Sequence, residues 1–233
     1  MGINQVIVFD IDETLVSNEV LPNNLDEILI EINKLKNHHY SFGICTNRPL
    51  EPFVKKIADT YLIDDYIICE NGAIIYKKNK NHCEKVCAYI QENINEKLIN
   101  KLKTFLKNND VTLNLFRQAT STIRTKNEIT TKNVIDYLKT NIDLTNYIIE
   151  PNNNKILIYN KYIDKIQTLN NLYKNMSVIF VTDYEKKTSS PNKNIKMYSV
   201  GKNKEFNKKC QLVFSKATEG ILEILRKEGK KYE

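Results

Sequence analysis

Two carboxylates separated by one residue, Asp10 and Asp12, follow an unbroken apolar run, Val6-Ile7-Val8-Phe9, and Thr14 stands two positions further on. Like charges this close repel, so the pair needs a cation or a shared proton. Their oxygens are hard donors of the kind that suit Mg²⁺, which keeps waters and takes few protein ligands. A second group is Thr46, Asn47 and Arg48, a hydroxyl, an amide and a cation just after Tyr40-Ser41-Phe42-Gly43-Ile44-Cys45. A strand tip with a hydroxyl and free amides at the next helix start can hold a phosphate oxygen. A third is Asp183, which ends the apolar run Ser177 to Thr182. Each has an ordinary alternative: a solvated turn or helix-start acid for the aspartates, a helix N-cap for Thr46.

The elements that must position these residues follow from periodicity. A continuous apolar run near the start of an alternating chain reads as a buried parallel strand. Ligands of open α/β sheets bind in the crevice beyond the carboxyl ends of such strands. Asn23 to Lys36 carries Leu25, Ile28, Leu29, Ile32 and Leu35 at helical spacing, with Pro22 near its start. Leu50 to Leu62 reads as a second helix, and Tyr66 to Cys69 with Ala73 to Tyr76 as two strands around Asn71-Gly72, a strong hairpin signal.

From about Lys77 to Asn160 the rhythm changes. Asn93 to Leu106 reads as an amphipathic helix, Val111 to Phe116 and Ser121 to Arg124 as strands, and Ile129 to Leu138 as a helix. Tyr147 to Ile149 and Lys155 to Tyr159 read as strands. This order predicts a small α+β domain inserted into the first. The chain then returns to α/β order, with strands at Ser177 to Asp183, Met197 to Gly201 and Cys210 to Phe214 and a closing helix over Ile221 to Arg226.

The string of four apolar residues, Asp10, Asp12 and Thr14 resembles the first motif of the haloacid dehalogenase-like hydrolases. Thr46-x-Arg48-Pro49 resembles their second motif. Asn71-Gly72-Ala73 resembles a segment of the capped, Cof-like branch, which includes sugar phosphatases and phosphomannomutases. The segment Ile156 to Lys165 resembles that branch's exit from the cap. The resemblance implies a Rossmann-like parallel-sheet core over 1–78 and 161–233 and an inserted α+β cap over 79–160. It implies Asp10 as nucleophile, Asp12 as general acid/base, Thr46 as phosphoryl ligand and Lys165 as the neutralising cation, with Lys161 as the competing assignment. Mg²⁺ would be held by Asp10, Asp12 through its main-chain carbonyl, and Asp183. Asn47, Arg48, Arg117 and Arg124 would meet the substrate, and the cap cations Arg117, Arg124 and Lys126 could meet a second charge on a sugar or acid.

The sequence also departs from the family pattern. Thr182 replaces a Gly before Asp183, and Lys187 stands where a second acid is usual. Glu185, Asn192 and Asn194 are the nearest replacement oxygens. Glu13 occupies a position where the capped branch commonly has Gly.

The 233 residues carry a formal charge of +7. The lysines are spread along the chain and form no single block, so the charge reads as bias plus attraction for anionic substrates, and nucleic acid is not the expected partner. Cys45, Cys69, Cys83, Cys87 and Cys210 are odd in number and lack zinc spacing, as reduced thiols of a cytoplasmic protein do. No apolar run is long enough to span a bilayer, and no signal peptide is expected before Val6. The resulting expectation is a Mg²⁺-dependent phosphatase of small phosphate monoesters working through an aspartyl-phosphate, as a monomer or homodimer. A phosphomannomutase-like phosphotransferase and a catalytically weakened binding protein of the same fold are the alternatives.

Overall fold

The computed structural model describes residues 5–79, 82–89, 93–108, 110–183, 189–215 and 217–232. The chain starts with β1 (Gln5–Phe9), α1 (Leu25–Asn37), β2 (Tyr40–Cys45), α2 (Pro52–Thr60) and β3 (Tyr66–Cys69), then turns into β4 (Ile74–Asn79) and β5 (His82–Ala88). It crosses to α3 (Ile94–Lys101), α4 (Lys103–Lys107), β6 (Val111–Leu113), β7 (Ser121–Thr125), α5 (Glu128–Asn141), β8 (Tyr147–Asn152) and β9 (Lys155–Asn160). It returns through α6 (Lys165–Leu172), β10 (Ser177–Thr182), β11 (Ile195–Ser199), α7 (Lys204–Asn207), β12 (Leu212–Val213) and α8 (Ala217–Gly229).

Two sheets result. The larger runs β12-β11-β10-β1-β2-β3-β4-β5, the smaller β6-β7-β9-β8. From β12 to β3 the large sheet is parallel, and β4 and β5 add antiparallel strands. The apolar run of β1 is continuous because both faces of its strand are covered. Ile7 and Phe9 join the core beneath α1, α2 and α8, while Val6 and Val8 join the core beneath α6. This two-faced burial is the period-two geometry of a strand inside a layered α/β sheet. The smaller sheet has its own core, in which Ile123, Ile156 and Ile158 meet Leu98, Val134 and Leu138.

The expected α/β architecture is present, and several expected boundaries move. The segment expected to open the insertion at 79 instead forms β5, which pairs with β4 in the large sheet. Its residues mix charge with small apolar groups, as an edge strand can, so no strand period stood out. The single helix expected over Asn93 to Leu106 is broken at Leu102 into α3 and α4. The strand expected to reach Phe116 ends at Leu113, the one expected over Cys210 to Phe214 shrinks to two residues, and the last helix begins at Ala217. Glu185 and Lys187 lie outside the described residues. Asn192 and Asn194 precede β11 and so sit at the amino ends of the strands. The Asn194 amide donates to the carbonyls of Tyr173 and Met176, so these two residues are not part of the carboxyl-end cluster. Among the described residues no helix is long and apolar enough to cross a membrane.

Phe9 and Phe42 stack across β1 and β2 with ring centroids 6.1 Å apart, both fully buried. Phe42→Ala is expected to lower the unfolding free energy by about 3–5 kcal/mol. Ile30→Ala, at an exposed site of α1, is expected to change it by no more than about 0.5 kcal/mol. Equilibrium urea unfolding of the two variants beside the wild type checks both.

Candidate active site

Asp10 is the first residue past the end of β1, and its N–H donates to the Val181 carbonyl at 2.9 Å. The register pairs Phe9 with Val181 on one side and with Ile44 on the other. The next residues along the three strands are therefore Asp10, Thr182 with Asp183, and Cys45 with Thr46. All stand at the carboxyl ends of adjacent strands. The carboxyl-end crevice expected from the sequence is thus assembled from residues far apart in the chain.

The Asp10 carboxylate is buried. Its Oδ1 accepts from the Ile11 N–H at 2.7 Å. Its Oδ2 accepts from Lys165 Nζ at 2.5 Å and from Thr182 Oγ1 at 3.2 Å. Lys165 is also buried, 1% exposed, and an ammonium so placed demands an anionic partner. It opens α6, whose start is fixed by Asp164, an N-cap that accepts from the Gln167 N–H at 2.7 Å. Lys161, the competing lysine, is exposed and donates to the Thr145 carbonyl. Thr182, read from sequence only as a departure, supplies a hydroxyl to the aspartate. Thr14 accepts from the Asp183 N–H at 3.1 Å, which fixes the loop after β10 against the loop after β1. Gly201 is required beneath that loop, because a Cβ there would lie 1.8 Å from the Asp183 carbonyl oxygen.

Thr46 is fully buried; its N–H donates to the Ile68 carbonyl, and its hydroxyl accepts from the Arg48 N–H at 3.2 Å. Asp12 is exposed, and its carboxylate is held by Arg48. Arg48 grips it with Nε at 3.0 Å and Nη2 at 2.7 Å, and also reaches Glu19 and Glu51. The guanidinium lies 4.5 Å from the Phe53 ring centroid. The hydrogen bond to Asp12, above all, holds the Arg48 pKa above its ordinary value. Arg48, expected to meet the substrate, lines the cleft and pairs with three carboxylates.

The residues on the smaller sheet divide. Arg117 reaches across to the large-sheet side, with Nη1 3.0 Å from the Asn47 carbonyl and 2.6 Å from Thr120 Oγ1. Burial lowers its pKa, an effect that Glu70 opposes. Arg124 is exposed and faces a cavity of about 830 Å³ between the two sheets, whose other wall includes Asp12, Asn47 and Arg48. Lys126 does not line it.

The sequence marks Asn71-Gly72 as a turn and as a segment resembling the capped branch, with no role for Glu70. All three residues have positive φ, and the turn joins three parts of the site. Its N–H groups donate to the Arg48 and Thr46 carbonyls. The Gly72 carbonyl accepts from Thr168 Oγ1 of α6 at 2.9 Å, and a Cβ on Gly72 would clash with Thr168 and Asp164. The Glu70 carboxylate, 1% exposed, accepts from the backbone N–H groups of Gln118, Ala119 and Thr120 and from Thr120 Oγ1, all within 3.1 Å. A buried carboxylate so fully paired joins the large sheet to the loop that carries Arg117. An apolar-flanked Glu beside Asn-Gly was the available signal, but its partners lie about fifty positions away.

A family model described as haloacid dehalogenase-like hydrolase matches residues 7–233. The structure is similar to a haloacid dehalogenase-like hydrolase from Bacteroides thetaiotaomicron, with TM-score 0.69 at 13% identity, over 97% of this chain and 99% of that one. It is similar to a subclass IIB sugar phosphatase of the superfamily, with TM-score 0.58 at 16% identity, over 97% and 99%. A further phosphatase of the superfamily from Bacteroides thetaiotaomicron gives TM-score 0.64 at 12% identity, over 97% and 96%. At such identities the likeness shows the fold. No curated protein sequence matches the chain.

Glu70→Gln keeps the shape and removes the negative charge and one acceptor. Each buried donor left unpaired is expected to cost about 1–3 kcal/mol. Hydrogen exchange measured by mass spectrometry is expected to quicken at residues 118–120, with the protection of β1 unchanged. Equal protection in variant and wild type at 118–120 would show that this carboxylate does not hold the two sheets together.

Proposed function

The chain belongs to the haloacid dehalogenase-like hydrolases, and on that premise we propose that it hydrolyses small phosphate monoesters through an aspartyl-phosphate. The observation that carries the reading is the buried Asp10 carboxylate at the end of the central strand, bonded to Lys165 Nζ and the Thr182 hydroxyl, with Thr46 at the end of the neighbouring strand. In this reading an Asp10 oxygen attacks phosphorus and the P–O bond to the alkoxide breaks, which splits one hard displacement into two easier ones. Asp12 gives its proton to the leaving oxygen. It then takes a proton from the water that attacks the phosphoaspartate and frees inorganic phosphate. Lys165 and the Thr46 hydroxyl offset charge on the phosphoryl oxygens, where most phosphoryl-transfer catalysis resides.

The donors at this edge fit Mg²⁺. The Asp10 and Asp183 carboxylates and the Asp12 main-chain carbonyl offer hard oxygens only, the kind that Mg²⁺ prefers. Such a set uses two acidic side chains, and among the described residues no three His, Cys, Asp or Glu side chains gather as a metal site. When bound, the ion would polarise the phosphoryl group. The smaller sheet and its helices, residues 93–160, would act as the cap that closes over the site and excludes water. β5, assigned from sequence to the cap, is counted with the core.

Asp10→Asn is expected to abolish phosphate release from a panel of sugar and glycerol phosphates while far-UV circular dichroism stays that of the wild type. EDTA is expected to stop turnover of the wild type, and added Mg²⁺ to restore it. Undiminished release by the Asn variant would remove Asp10 as nucleophile, and turnover that survives the chelator would remove the metal.

A further inference from the structure

The register of the smaller sheet sets four polar residues in one transverse row. Thr112 pairs with Arg124, Arg124 with Lys155, and Lys155 with Asn152. Side chains alternate across a strand, so this row shares one face. The neighbouring pair Ile123 and Ile156 is buried on the other face against the helices. All four residues of the row line the 830 Å³ cavity opposite Asp12 and Arg48.

Arg124 and Lys155 are like charges placed directly across an antiparallel pair. Such a placement costs the sheet stability when nothing anionic lies between the two. Among the described residues no carboxylate forms an ion pair with either. The carboxylates of the opposite wall, Asp12, Glu19 and Glu51, are all taken by Arg48. Behind the row, Thr122 Oγ1 and Arg117 Nε are buried with no hydrogen-bond partner, on two further residues of the cavity wall. The wall opposite Asp12 and Arg48 therefore carries Arg117, Arg124 and Lys155 with no carboxylate on it.

Resting on the phosphatase reading above, we propose that the cleft selects phosphate monoesters whose organic part carries a second anionic group, which Arg124 and Lys155 bind together. The ester phosphate would lie at the Asp10 end. The second group supplies anionic oxygens, as a carboxylate or a second phosphate does, and relieves the repulsion between the two cations. Lys155, which the sequence placed in a strand without a role, becomes a specificity residue with Arg124. Thr112 and Asn152 flank the pair as neutral partners for hydroxyls.

The test is calorimetric binding to the Asp10→Asn protein, so that turnover plays no part. The probes are glucose 6-phosphate, 6-phosphogluconate and glucose 1,6-bisphosphate, which share a carbon skeleton. At least one doubly anionic ester is expected to bind about tenfold or more tightly than glucose 6-phosphate. The carboxylate and bisphosphate arms identify which anion is preferred. Adding Arg124→Gln and Lys155→Gln is expected to bring the ratio close to one, and Arg124→Glu with Lys155→Glu to invert it. Inversion is a result that a merely damaged fold does not produce. Equal binding of the three esters, no binding of either doubly anionic ester, or a preference that survives the double Gln variant would overturn the proposal. Phosphate release by the wild-type protein is measured separately. Its absence for every ester would end the phosphatase reading while the binding ratios still decide the subsite.

Discussion

The cleft depends on one buried carboxylate. Glu70 is enclosed where the two sheets meet, and a charge removed from water is tolerated only when its oxygens are paired. Its partners are consecutive backbone N–H groups of the other sheet's loop, so the demand for pairing becomes a positional constraint. The same turn takes left-handed backbone at Glu70, Asn71 and Gly72. Non-glycine residues adopt that conformation at a cost, which must be offset by the contacts that fix it. Those contacts run to the Thr46 loop, to the start of α6 and to the Arg117 loop. A single turn thereby sets the relative places of a hydroxyl, a lysine and a cleft arginine.

The second constraint is the ion pair between Lys165 and Asp10. Neither group could be buried alone, and the lysine reaches its partner only after the chain has completed the smaller sheet and come back. Correct return of the chain and neutralisation of the aspartate are the same event. This explains why a site with so few residues draws on segments at positions 10, 46, 165 and 183. Each is a strand end or a helix start, and the parallel register brings them level.

Much of this was legible in sequence because it is local. The apolar run of β1, the spacing of Asp10 and Asp12, and Thr46 after β2 each declare themselves within ten residues. Glu13 also makes sense locally. Its φ of 54° is a conformation that glycine adopts freely, and the family resemblance implies a glycine at this position. What sequence could not deliver is long-range. The grip of Arg48 on Asp12, the partners of Glu70 and the row that joins Arg124 to Lys155 all require strand register and loop placement. β5 was missed for a different reason: its seven residues alternate too weakly to signal a strand, and only pairing with β4 makes them one.

That edge position has a consequence for how the protein behaves in a crowd of its own copies. The outermost strand of a sheet leaves a line of main-chain donors and acceptors open to any passing extended segment, and long apolar edges recruit one another. β5 carries His82, Glu84 and Lys85 along its length, so a second molecule approaching in the same way would have to strip water from charged groups before pairing. The charges that break this strand's apolar alternation also make that edge costly to pair.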